Sequence, residues 1–196
     1  MTEPAHLFPL IFADAAAWRE WLTANEGVSD GIWLVLAKKG TTDPTSLSYQ
    51  EALEEALCGG WIDGQRRARD AATFVQRYTP RRTRSMWSMR NVDIIARLVA
   101  DQRIRARGIA EVERAQADGR WERAYVGQAA AEVPDELARA LAADVVAEAR
   151  FAALNRAERY SALHPILTAP SATTRARRID VLVARLGGSA AGHEVG

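Results

Sequence analysis

The chain has 196 residues, is 48% hydrophobic and 26% charged, and carries a formal net charge of +1. That length and balance allow one sizeable core or two small ones, and they exclude a whole-molecule field that would drive nonspecific binding to nucleic acid or membrane. The single cysteine excludes an intrachain disulfide, no apolar stretch nears the roughly 20 residues of a spanning helix, and MTEPAHLFPLIF has no basic run ahead of its short apolar segment, so a cytoplasmic protein without membrane insertion is expected.

Asp14 is placed to cap a helix over AAAWREWLTANEG, with Trp18, Trp21 and Leu22 on one stripe and Gly27 past its end. GIWLVLAKK is apolar on both alternating faces and reads as a central strand covered on both sides, with Lys38 and Lys39 at its end. Ser48 then opens SYQEALEEALC with Glu51 three residues on, a capping-box pattern, and Gly59 and Gly60 stop that helix after Cys58. GWIDGQRR and TFVQRYT read as extended pieces joined by the turn-prone ARDAA. Past Pro80 the chain turns helical: Asn91 is placed to cap VDIIARLVADQ, and ARGIAEVERAQAD ends before Gly119.

Periodicity is lost from Gly127 to Val133, and Pro134 then opens a series of short helices with Asp144 and Asn155 as internal caps. The last of them carries Ile179, Leu182, Val183 and Leu186 as an apolar stripe. The fold class expected is α+β: a small, mostly antiparallel sheet with helices over residues 1–126, a linker at 127–133, a helical C-terminal region at 134–187 and a disordered tail at 188–196.

The charge is unevenly spread. From Arg66 to Arg107 there are twelve arginines against three acids, a net +9 that leaves −8 for the rest of the chain. Coding bias can turn lysines into arginines, and only Lys38 and Lys39 are lysines here, but it does not clear acids from a segment. Most of these arginines are expected to coat a solvated face or to pair with acidic helices such as EALEEAL. Arg77, Arg81 and Arg82 fit that account less well. They flank the Thr79-Pro80 turn in RYTPRRTRSMWSMRN, where stiff backbone would hold guanidinium forks ready for a carboxylate or phosphate.

Ser85, Ser88 and Asn91 add hydroxyl and amide donors near a helix start, where backbone N–H groups also favour anions. Trp61, Trp87 and Tyr78 offer flat faces, although a buried tryptophan anchor is the more common role. Asp63, between glycines in GWIDGQ, is placed to act as a base or to pair with Arg77 or Arg81 on the next strand.

Other chemistry has no signature. The histidines, His6, His164 and His193, are scattered without metal-ligand spacing, and neither a nucleotide-binding glycine fingerprint nor a GxSxG motif is present, so no metal and no cofactor is expected. Cys58 at a helix C-terminus reads as an inert, buried thiol.

The strings SYQEALEEALCGGWIDGQ, RYTPRRTRSMWSMRN, GIAEVERAQADGRWERAY and ATTRARRIDVLVARL resemble the bacterial bacteriocin-protection, YdeI/OmpD-associated family, over a stretch from about Trp18 to Leu186. The positions that carry the resemblance include Lys38, Lys39, Cys58, Trp61, Asp63, Arg81, Arg82, Ser85, Trp87, Ser88, Asn91, Arg120 and Tyr125. Gly59 stands where that family usually has an aromatic residue, which implies a more open wall at that point. The resemblance implies a cytoplasmic α+β protein linked to protection from antimicrobial peptides or toxic compounds, and it carries no catalytic mechanism.

Three readings follow. The first is a binding protein whose cleft, lined by Lys38, Lys39, Trp61, Asp63, Arg77, Arg81, Arg82, Ser85, Trp87, Ser88 and Asn91, holds an anionic or amphipathic small molecule or peptide. The second is an enzyme on an anionic substrate with Asp63 or Tyr78 as proton carrier. The third, nucleic-acid binding, is disfavoured by the acidic remainder of the chain and the lack of a known module. A protein partner is compatible with the first reading, and the sequence does not set the oligomeric state.

Overall fold

The computed structural model describes residues 8–188, so the expected tail beyond residue 188, together with His6 and His193, lies outside the described residues. The protein is α+β, with its strands in the N-terminal half and helices throughout. It divides into two compact units: the described residues of Met1–Ser85 together with Asn91–Glu122, and Met86–Arg90 together with the described residues of Arg123–Gly196. The second unit thus starts ahead of the expected 127–133 linker and takes in five residues, 86–90, that periodicity had no means to assign to it.

In the first unit, α1 (Ala15–Asn25) starts where the Asp14 carboxylate accepts from the Ala17 N–H. The strand β1 (Ile32–Ala37) leads to α2 (Tyr49–Cys58), whose capping box forms as the Ser48 and Glu51 spacing predicts. Strands β2 (Trp61–Ala68) and β3 (Thr73–Pro80) make a hairpin closed by Asp70, which accepts from the Ala72 and Thr73 N–H groups and from the Thr73 hydroxyl. These bonds stabilise the ionised carboxylate and hold the Asp70 pKa below its ordinary value.

The sheet is antiparallel in the order β1-β3-β2. β1 is therefore not the central strand its composition suggested. Its burial on both faces is real, but among the described residues its outer edge is met by single bridges to Leu10 and Ser48 and by no strand, and β3 takes the centre. An apolar run reports burial, which an edge strand covered by irregular chain also achieves.

Because side chains alternate across a strand, Ile32, Leu34, Leu36, Phe74, Tyr78 and Trp61 share one face, where they pack with Trp18, Leu22, Ala52 and Ala56 of α1 and α2. Trp18 stacks on Trp21 with ring centroids 5.4 Å apart, Trp61 meets both edge-on, and the Trp18 and Trp61 indole N–H groups donate to the carbonyls of Ala52 and Glu26. Each large apolar side chain enclosed here contributes about 1.5–3 kcal/mol. Helix α3 (Met89–Ala100) begins two residues before Asn91, so Asn91 sits buried in its first turn instead of capping it. Helix α4 (Ala106–Ala117) crosses α2 closely at Gly108, where a Cβ would meet the Cys58 and Leu57 carbonyls.

The second unit is built from α5 (Asp135–Ala142), α6 (Val145–Ala152), α7 (Arg156–Leu167) and α8 (Ala172–Gly187), with Asp144 and Asn155 capping as their positions predict. The expected stripe on α8 packs with Leu137, Leu141, Phe151, Leu163 and Ile166 in a core of its own. No helix among the described residues is long and apolar enough to cross a membrane.

Candidate functional site: a basic sheet face and turn

The register decides which of the expected site residues can act together. Asp63 lies opposite Tyr78, and Arg77 lies opposite Trp33. Directly opposed residues share a face and neighbours on one strand do not, so Asp63, Tyr78 and Trp61 belong to the helix-covered face and Arg77 to the other. The expected salt bridge from Asp63 to Arg77 or Arg81 is therefore not made. The Asp63 carboxylate accepts from the Tyr49 hydroxyl at 2.9 Å, at the start of α2.

Trp61 and Tyr78 are fully buried in the core of the first unit, and Tyr78 lies 5.7 Å from Trp18 between ring centroids. Neither presents a face to solvent. Arg81 is enclosed too, at 6% exposure, with its backbone N–H donating to the Gly60 carbonyl. Lys38 and Lys39 sit past Ala37, which pairs with Thr73, whereas the Thr-Pro turn follows Pro80 at the other end of β3. That places the lysines more than about 20 Å along the sheet from the arginine turn. The Lys38 ammonium is spent locally on the Asp70 carbonyl at 2.6 Å.

Trp87 and Ser88 belong to the second unit, where Trp87 is buried and Ser88 bridges to Tyr125, whose N–H donates to the Trp87 carbonyl and whose carbonyl accepts from the Met89 N–H.

What gathers on the face of the sheet away from α1 and α2 is a different set. Trp33 on β1 is half-buried and carries the Arg67 guanidinium 4.0 Å from its ring centroid, a cation–π contact, with Arg77 directly opposite Trp33 on β3. Arg66, opposite Gln76, lies over Phe74 at 3.8 Å and so belongs to the helix-covered side, not to this set. Beyond β3, Arg82 and Arg84 are exposed on a tight turn in which the Ser85 N–H donates to the Arg82 carbonyl and the Ser85 hydroxyl accepts from the Arg82 N–H. Arg120 pins this turn from beneath: held by Asp118 at 2.8 Å, it donates to the Ser85 carbonyl at 2.7 Å. Among the described residues, the guanidiniums of Arg66, Arg67, Arg77, Arg82 and Arg84 form no ion pair with a carboxylate.

Arg97, Arg103 and Arg105 of the basic segment are paired internally, largely with the acidic α2. Glu55, with 2% of its side chain exposed, takes Arg19 and Arg103, each at 2.7 Å. Burial alone would push the Glu55 pKa up, but the hydrogen bonds and charges of the two arginines outweigh it and hold the carboxyl below its ordinary range. Glu54 takes Arg103 and Arg97, and Glu26 takes Arg105 at 2.6 Å. A Cβ at Gly59 would run into this Glu26–Arg105 pair. The missing aromatic residue at that position therefore leaves no opening, because an ion pair fills the space.

Burial, with Glu55 adding to it, pushes the Cys58 thiol up to about 11, so it stays protonated and is no nucleophile at neutral pH. No group of three or more His, Cys, Asp or Glu able to hold a metal occurs among the described residues.

Sequence reasoning missed Trp33, Arg67 and Arg84 as site residues. Trp33 looked like one more apolar residue of a covered strand, and only the cross-strand register shows that it faces Arg77.

Residues 10–111, just over half of the chain, match the family model described as Domain of unknown function (DUF8412). Residues 130–187 match the model described as Bacteriocin-protection, YdeI or OmpD-Associated. The resemblance expected to run from Trp18 to Leu186 is thus carried, for that family, by the C-terminal helices. No curated protein and no solved structure matches the chain.

Proposed function

Since the chain belongs to the family described as Domain of unknown function (DUF8412) and ends in a stretch matching the bacteriocin-protection family, we propose that it is a cytoplasmic protective protein that captures an anionic or amphipathic small molecule or peptide. The capture site is the Trp33 and Arg77 side of the sheet and the adjoining turn of the first unit, with Arg67, Arg77, Arg82 and Arg84 as the anion-gripping groups and Trp33 as the flat surface beside them. One observation carries this reading: arginines clustered on and beside one face, beside an aromatic ring and a hydrogen-bonded turn, with no ion pair to a carboxylate among the described residues. Guanidinium forks of this kind hold carboxylate or phosphate through paired, charge-assisted hydrogen bonds.

Calorimetric titration with citrate, inorganic pyrophosphate and acidic peptides tests it at several salt concentrations. Binding to at least one of these probes by the wild type, weakened about tenfold in Arg77→Ala and Arg82→Ala, is the result expected. Wild-type affinity in both variants, or no binding to any probe, overturns it.

A further inference from the structure

The second unit holds a feature that the basic face does not use. Helices α7 and α8 leave between them a groove of about 290 Å³, floored by Ala162, Ile166 and Leu182 and walled by Val181. Three arginines of α8 stand at its rim: Arg177, Arg178 and Arg185. On a helix, residues four apart lie on one face about 6 Å apart along the axis, so Arg177, Val181 and Arg185 form a single stripe with a cation one turn to either side of an apolar middle.

The Arg178 guanidinium donates to the Pro165 carbonyl on α7, which fixes it at the mouth. Arg177 and Arg185 form no ion pair with any carboxylate among the described residues, whereas Arg175 on the same helix pairs with Glu136. Val181 is 63% exposed, an apolar side chain left in water beside a buried apolar floor. A shallower hollow continues past Ser161 and Arg185 towards Leu154, with the capping-box carboxylate of Glu158 on its rim.

We propose that this groove binds a small amphipathic carboxylate. Its apolar body lies against Ile166, Val181 and Leu182, and its carboxylate is taken by Arg177 or Arg185. Charge complementarity selects the anion, because the rim of this groove is cationic and, among the described residues, holds no acid. Size selects a small molecule, because the groove lies at the low end of the about 300–1,000 Å³ range of small-ligand sites. An apolar floor selects a tail over a fully polar anion. This site is separate from the basic face of the first unit and does not depend on that reading.

Decanoate, kept below its micelle concentration, is the probe, titrated into the full chain by calorimetry and by NMR, with decanol and decyltrimethylammonium as controls. The expected result is saturable one-to-one binding of decanoate, at least about tenfold tighter than of either control. Arg177→Ala combined with Arg185→Ala should weaken it about tenfold or more, and Val181→Asp should abolish it, with thermal melts of both variants matching wild type. Arg77→Ala should leave it unchanged, which separates this site from the one in the first unit. Absence of saturable binding, equal binding of decyltrimethylammonium, or wild-type affinity in the folded double arginine variant overturns the proposal. Should Val181→Asp not fold, the double arginine variant, altered only at the groove's rim, still decides.

Discussion

Arg103 and Arg77 come from one basic segment and meet opposite fates. Arg103, with Arg97 and Arg105 nearby, finds the acids of α2 and of the chain after α1. Arg77, with Arg67, Arg82 and Arg84, forms no ion pair with a carboxylate among the described residues. The comparison teaches that a segregated charge run is not itself a binding surface. Tertiary placement divides it into arginines that pair with acids of the fold and arginines that form no ion pair among the described residues.

The paired side of that division should break hardest. Replacing Arg19 and Arg103 together by alanine leaves the Glu55 carboxylate buried without a cation, a change expected to cost about 3 kcal/mol, measured by chemical denaturation at neutral pH. The same network sets a pH dependence. Because the Glu55 pKa is held below its ordinary 4.5 in the folded state, its stabilising contribution is complete above that value and is lost as pH falls through the lower folded one. Melting temperatures taken from pH 6 down to 3 should fall less steeply in Glu55→Gln than in the wild type; equal slopes would remove Glu55 from the acid response.

Next comes the geometry that sets the end of the sheet beside Arg77. Gly31 has φ +122, and a Cβ there would lie 2.6 Å from both the Tyr78 carbonyl and the Thr79 side chain. Gly31→Ala should therefore cost about 1–3 kcal/mol, and by shifting β3 it should also weaken anion binding at Arg77; denaturation and titration of one sample test both. The helical unit offers a smaller, purely local effect. Asn155→Ala removes a side chain that accepts from the Ala157 and Glu158 N–H groups, and should lower stability by about 1 kcal/mol without touching the basic face.

The smallest stability effect sharpens the comparison most. Arg77→Ala should change stability by less than about 0.5 kcal/mol, as at a surface position without a structural partner. A loss comparable to that of the Arg19 and Arg103 pair would mean that Arg77 belongs to the scaffold.

Local chemistry was legible in the chain itself. Asp14, Ser48, Asp144 and Asn155 cap where their spacing places them, since a cap needs only its own next three residues. The stripe on α8 and the hairpin around Asp70 are readable for the same reason. Asn91 shows the limit: it has a capping side chain, but the helix extends past it to Met89.

The candidate site was legible only as a charge surplus. Its membership turns on cross-strand register, which places Asp63 and Arg77 on opposite faces and Trp33 across from Arg77, and sends Lys38 to the far end of the sheet. Register is set by which residues pair across a turn of unknown length and bulge, here with a shift between Asp63 and Arg66. A one-residue slip would reverse every face assignment. The sequence by itself determined the elements, their caps and the excess of arginine, because those depend on neighbours within a turn or two. Only the tertiary structure decided which arginines meet an acid, because a Coulomb partner is chosen by distance in space, and the chain brings Arg103 to Glu55 across 48 residues.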